Sequence, residues 1–170
     1  MTEKQTASVN TEAVKAKAGK YLTFKLGEEV FGLEILKVQE IIGMMKVTEV
    51  PRTPEFIRGV LNLRGKIIPV IDLRLKFGMK PHEDTAKTCI IVVQVIRESK
   101  QFTMGILVDE VSEVLNILQE QIDEPPSFGA SVNVEFILGI GKVAQKVVML
   151  LDIEKVLTAG DMDIIGKVEK

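Results

Sequence analysis

The sequence predicts a mainly β protein of the barrel or sandwich class, made of two related units that share one core. Three observations carry this. Eight short runs rich in Val, Ile, Leu and Phe are separated by Gly, Pro and clustered charge. Blocks of sequence recur at fixed spacings. Only two short stretches carry a helix-start signal.

The strands follow in order. "YLTFKL" (21–26) alternates apolar and polar residues, as a half-buried strand does. "EVFGLEI" (29–35), "GVLNL" (59–63) and "KIIPVI" (66–71) come next. "CIIVVQVI" (89–96), "QFTMGILV" (101–108), "FILGIG" (136–141) and "KVVMLL" (146–151) complete the set. Pro69 cannot donate to a ladder, so its strand is expected at an edge or with a bulge at that point. Asp72 and Asp152 suit N-caps before "LRLKF" and "IEKVL", where two short helices are expected. "DEPP" (123–126) reads as a stiff connector and "FGASVN" (128–133) as a loop. The polar segment 1–19 is expected to be a flexible tail with a fleeting helix near Glu12 to Ala18, and 158–170 a C-terminal tail.

Internal repetition organises the rest. Phe56, Ile57 and Gly59 recur 80 positions later as Phe136, Ile137 and Gly139, and Asp72 recurs as Asp152. "GLEILKVQEII" (32–42) recurs as "GILVDEVSEVL" (105–115), a shift of 73. One change of loop length absorbs the difference. The expected units are 20–86 and 87–157, each too small to bury a large core alone.

Within "NLRGKIIPVIDL" (62–73), Arg64-Gly65-Lys66 reads as a hairpin tip, because Gly65 can supply the positive φ of a tight turn. Under the 80-residue shift Arg64 and Gly65 fall on Ala144 and Gln145. The fold tolerates both pairs, so the basic tip argues for a task beyond folding.

Composition excludes several function classes. Lys plus Arg is 22 against 24 Asp plus Glu, a net charge of −2, which gives no general field for nucleic acid or anionic membrane. Aromatics are 5%, with no Trp, too few to stack single-stranded bases. The only cysteine, Cys89, fits a buried strand and points to a reducing, cytoplasmic setting. The only histidine, His82, lies in the polar loop "KPHEDTAKT" with no nucleophile or metal-ligand pattern around it. No phosphate-binding motif is present; "GIGKVAQK" (139–146) precedes a strand and reads as a turn. Carboxylate pairs such as Asp109-Glu110 lack the apolar pocket that would split their pKa values. Met44 and Met45 either pack or form an adaptable contact surface, packing being the expectation. A β protein without a catalytic constellation is expected to act through protein-binding surfaces, with no cofactor and no metal.

The strings "YLTFKLGEEVFGLEILKVQEI", "TPEFIRGVLNLRGKIIPVIDLRLKFG" and "GILVDEVSEVL" resemble the CheW-like domain family of bacterial chemotaxis over about residues 20 to 158. Such domains occur in stand-alone coupling proteins, in the kinase CheA and in CheV; the lack of a receiver or kinase region favours the first. The resemblance implies two intertwined SH3-like five-stranded β-barrels around a common core, with a few short helices. It implies a non-enzymatic cytoplasmic adaptor, located at the inner face of the membrane through receptor arrays. Its partners would be the regulatory domain of CheA and the cytoplasmic tips of chemoreceptors, with no nucleic acid and no membrane insertion. It would be a monomer alone, assembling into arrays with those partners. The alternatives are a like adaptor in another chemosensory or motility pathway, or a ligand- or nucleic-acid-binding barrel. Contact positions in the family match Val38, Glu40, Gly59, Arg64, Ile90, Gly105 and Val114 here, with Gly65 beside Arg64 at the tip. Arg64 offers a planar fork for a carboxylate. Glu40 either pairs with it within the protein or each faces a partner.

Overall fold

The computed structural model describes residues 17–125, 135–157 and 161. Eleven strands run in chain order: β1 Gly19–Leu26, β2 Glu29–Glu34, β3 Val38–Gly43, β4 Ile57–Leu63, β5 Lys66–Asp72, β6 Cys89–Arg97, β7 Lys100–Val108, β8 Glu110–Ile117, β9 Ile122–Asp123, β10 Ile137–Val143 and β11 Lys146–Leu151. Two one-turn helices, α1 Leu73–Lys76 and α2 Ile153–Val156, follow β5 and β11. The side chains of Asp72 and Asp152 cap them, accepting from Leu75 N at 3.3 Å and Glu154 N at 3.1 Å. Each of the eight expected strands is present with ends within two residues, and both expected helices form.

The strands make two sheets, ordered β8-β1-β2-β11-β10-β9 and β3-β6-β7-β5-β4. Each sheet draws strands from both halves of the chain. The second is one continuous run from β3 to β7, whereas the first joins β1 and β2 to β8 through β11. The exchange is reciprocal: β11 pairs parallel to β2, and β5 pairs parallel to β7. The chain leaving β3 curls back so that Thr48 and Val60 exchange two backbone hydrogen bonds of 2.8 Å. That segment links the two outer strands and closes the five-stranded sheet into a barrel. On the other sheet the chain leaving β8 pairs back onto β10 through β9. These are the two intertwined barrels implied by the resemblance, the one that contains β1 and β2 counting six strands rather than five because the two-residue β9 adds to its edge.

Alternation along the strands divides the apolar residues among three cores. Leu61, Leu63, Ile68, Val70, Ile90, Val92 and Leu107 fill the five-stranded barrel. Tyr21, Ile117, Val148 and Leu150 fill the other. Between the barrels lies a larger common core that includes Leu22, Phe24, Leu33, Ile91, Val93, Met104 and Ile106. The rings of Phe24, Phe31, Phe77 and Phe136 stack in sequence through it, with centroids 5.8, 5.7 and 5.0 Å apart.

Two expectations change. β3, β8 and the two-residue β9 were not among the expected strands, and β9 takes Asp123 from the start of the expected connector. Burial alternates along β3, but its residue types do not, since Gln39 and Glu40 are both polar and Ile41 and Ile42 both apolar; β8 is exposed over much of its length, so neither shows the period-2 signal in its sequence. Pro69 lies on no edge: β5 sits between β4 and β7, and no bulge occurs at Pro69. It is accommodated because the ladder with β7 opens only at Val70. The tail expectations for 1–16 and for 158–170 apart from Asp161, and the loop 128–133, lie outside the described residues.

Candidate partner-binding surface

The β4–β5 connection is a two-residue turn with φ +53° at Arg64 and +89° at Gly65, the positive values of a type I′ hairpin. Gly65 N donates to Asn62 Oδ1 at 2.7 Å, which fixes the tip. The matching β10–β11 turn holds Ala144 at φ +51°. A left-handed non-glycine residue is thus tolerated at both sites, and only the first carries a guanidinium. From this turn Arg64 reaches across to β3. Its Nη1 donates to Glu40 Oε1 at 3.2 Å and its Nη2 to Oε2, a bidentate pair. Of the two readings left open by the sequence, internal pairing is the one observed. The Arg64 side chain remains 66% exposed, so a partner can reach the guanidinium without unfolding anything.

Hydrogen bonding from Arg64 holds the Glu40 carboxyl below its ordinary pKa. An acid depressed in this way contributes its pairing while ionised and loses it as pH falls through the lowered value. A carboxyl-carbon NMR titration is therefore expected to place the Glu40 midpoint below that of a free glutamate, and to move it up in Arg64→Ala. An unmoved midpoint would show that the pair does not form in solution.

The other sequence-predicted positions divide. Val38 opens β3, half-buried against the common core, with a register irregularity between it and Glu40. Gly59 is buried at the barrel closure, where a Cβ would stand 2.1 Å from Thr48 O. Ile90 lies fully buried inside the five-stranded barrel, and a Cβ on Gly105 would lie 2.7 Å from its Cγ2. Ile90 and Gly105 sit on the same sheet as Glu40 and Arg64, but beneath the surface. Val114 is 47% exposed on β8, on the other sheet. Burial also pushes the half-buried Cys89 thiol up in pKa, as expected of packing rather than a nucleophile. His82 is exposed, its Nδ1 2.8 Å from Glu83 O.

Sequence reasoning named Val114, left Met45 open between packing and contact, and missed the other four of a set of exposed apolar side chains. Ile41, Met45 and Ile67 on the five-stranded barrel are 42–44% exposed, and Val114, Leu118 and Val147 on the other are 47–58% exposed. These are matching positions: Ile41 and Met45 fall on Val114 and Leu118 at the 73-residue shift, and Ile67 on Val147 at 80. Met44 packs into the barrel while Met45 faces out, so the expectation of packing holds for the first only. The repeat itself could have found the set, since apolar character is kept at all three positions in both copies.

The CheW-like domain family matches residues 20–161. The chain is 40% identical over 164 residues to a chemotaxis protein CheW of Klebsiella aerogenes, covering 96% of each chain. It is 36% identical to a chemotaxis protein CheW of Helicobacter pylori, over 81% of this chain and 80% of that one. Among solved structures, the scaffolding protein TtCheW from Thermoanaerobacter tengcongensis superposes with a TM-score of 0.75 at 35% identity, covering 85% of this chain and 95% of that one.

Proposed function

The chain belongs to the CheW-like domain family, and from that premise we propose that it is a chemotaxis scaffold coupling chemoreceptors to the histidine kinase CheA. The observation that carries this reading is the repetition of the same exposed apolar positions on both barrels. Exposed apolar groups that recur through a duplication are surfaces to be covered, and two of them allow a bridging protein to hold two partners at once. The Glu40–Arg64 pair lies on the five-stranded barrel and has no counterpart at the matching residues Glu113 and Ala144, so it adds a polar, directional element to that barrel only. That asymmetry distinguishes the partners.

The proposed partners are the regulatory domain of the kinase and the cytoplasmic receptor tips. The proposed site residues are Val38, Glu40, Arg64, Gly65 and Val114 at the surface. Gly59, Ile90 and Gly105 act through the shape of the barrel beneath. The role is proposed to be non-enzymatic, without cofactor or nucleic acid. No helix among the described residues is long and apolar enough to cross a membrane, and a cytoplasmic location is proposed. The units of duplication are proposed as 20–86 and 87–157, flanked by tails.

The test is a calorimetric titration of the chain against the regulatory domain of the kinase and, separately, against a receptor tip. Saturable binding to both is expected. No complex at about 50 μM, a level that would detect contacts of about −6 kcal/mol, would sink the coupling role. Arg64→Ala is expected to leave the thermal midpoint unchanged, since surface ion pairs contribute little, and to weaken one partner about tenfold. Ile67→Glu and Val147→Glu are expected to impair different partners, each leaving the other intact. Equal loss of both partners in both variants would refute the two-surface reading.

A further inference from the structure

Where the chain crosses between sheets, two clamps of matching construction carry opposite charges. Asp109 is the residue between β7 and β8, at one crossing. Its carboxylate accepts from Arg74 Nε of α1 at 2.9 Å and from Gly27 N, in the β1–β2 turn, at 2.6 Å. Lys37 is the residue before β3, at the other crossing. Its Nζ lies 2.9 Å from Glu154 Oε2 of α2, and the same oxygen accepts from Ile96 N, near the β6–β7 turn, at 3.1 Å. Arg74 and Glu154 are matching residues under the 80-residue shift, each second in its helix. In both clamps one helix side chain, one crossing side chain and one hairpin N–H meet on a carboxylate. Only the direction of charge differs.

Sorted by half of the chain, the four charges are not mixed. The first half supplies two cations, Lys37 and Arg74, and the second half two anions, Asp109 and Glu154. Correct exchange of strands between halves places each cation against an anion. Exchange between first halves of two copies would set Arg74 against Lys37, and between second halves Glu154 against Asp109. Arg74 and Asp109 keep only 12% and 21% of their side chains exposed, so a like charge there could not be screened by turning into solvent.

We propose that these four charges form a pairing code that directs the first half onto the second and disfavours exchange between like halves of two copies of the chain. The logic is that of like-charge repulsion at the flanks of paired helices: specificity comes from penalising the wrong partner as much as from rewarding the right one.

The test separates a code from simple stabilisation. Full-length variants are unfolded in denaturant, refolded at several concentrations, and sized by light scattering after gel filtration. Lys37→Asp with Glu154→Arg rebuilds one clamp with the signs of the other, so each half then carries one cation and one anion. This double variant is expected to keep an ion pair in each clamp and a near-native melting temperature. It is also expected to refold with a dimer-to-monomer ratio raised about tenfold, equivalent to about 1.4 kcal/mol of lost preference. The reverse double, Arg74→Asp with Asp109→Arg, is expected to do the same. Reversing all four charges restores the code and is expected to refold as monomer. Doubles that refold at the wild-type dimer-to-monomer ratio would overturn the proposal. So would failure of both doubles to fold, which would show that the sites need their native charges for local reasons.

Discussion

Gly59→Ala is expected to destabilise the protein by about 2–4 kcal/mol, read as a lowered denaturant midpoint at unchanged slope. The residue has φ +144°, a region that L side chains rarely adopt, and the added methyl would stand 2.1 Å from Thr48 O and 2.7 Å from its carbonyl carbon. Those are backbone atoms, so no rotamer change relieves the clash. The next residue, Val60, makes both hydrogen bonds to Thr48 that close the barrel. Pushing the segments apart therefore opens the closure beside the Arg64 hairpin, and partner binding is expected to fall with stability. A variant that loses binding with its midpoint intact would instead make Gly59 a direct contact.

The second large effect is expected at the packed pair Ile90 and Gly105. Gly105→Ala would bring a methyl to 2.7 Å from Ile90 Cγ2 in a core position, an overpacking that costs about 1–3 kcal/mol. Ile90→Ala removes a fully buried side chain and is expected to cost about 2–5 kcal/mol. The double variant should cost less than the sum by at least about 0.5 kcal/mol, because the new methyl enters the space that Ile90 leaves. Strict additivity in a double-mutant cycle would disprove the contact. A part in partner binding is proposed for both residues, and their burial makes that proposed part indirect. A buried side chain changes binding by changing the surface that lies over it.

Much of this was legible in the sequence. The hairpin at Arg64-Gly65 was, because a two-residue turn needs positive φ and Gly advertises it. The caps at Asp72 and Asp152 were, because a one-turn helix takes its start from one side chain. The strand exchange was implied only by the family resemblance and not by the residues themselves, since the repeat shows which residues are alike and not which copy each pairs with. β3 and β8 were hidden for a related reason. Each pairs along its length with a strand of the other half, β6 and β1, and shows exposed residues on its outer side, so neither composition nor period marks it. Ile90 and Gly105 share the apolar runs of ordinary core strands, and nothing in those runs separates a surface contact from the packing beneath one.

The reciprocal exchange also has a consequence for biogenesis. The five-stranded barrel is a single contiguous stretch and can close soon after β7 leaves the ribosome. The β1–β2 hairpin is made first, yet both its outer edges wait: β1 for β8, and β2 for β11 near the end of the chain. At about 5–20 residues per second, the outer edge of β2 stands unpaired for on the order of ten seconds during each synthesis. An open strand edge flanked by Phe24 and Phe31 is a template for misassembly in that interval. Nascent chains stalled between β7 and β11 should thus be the species that chaperones hold and that aggregates recruit, with the N-terminal hairpin as the point of attachment.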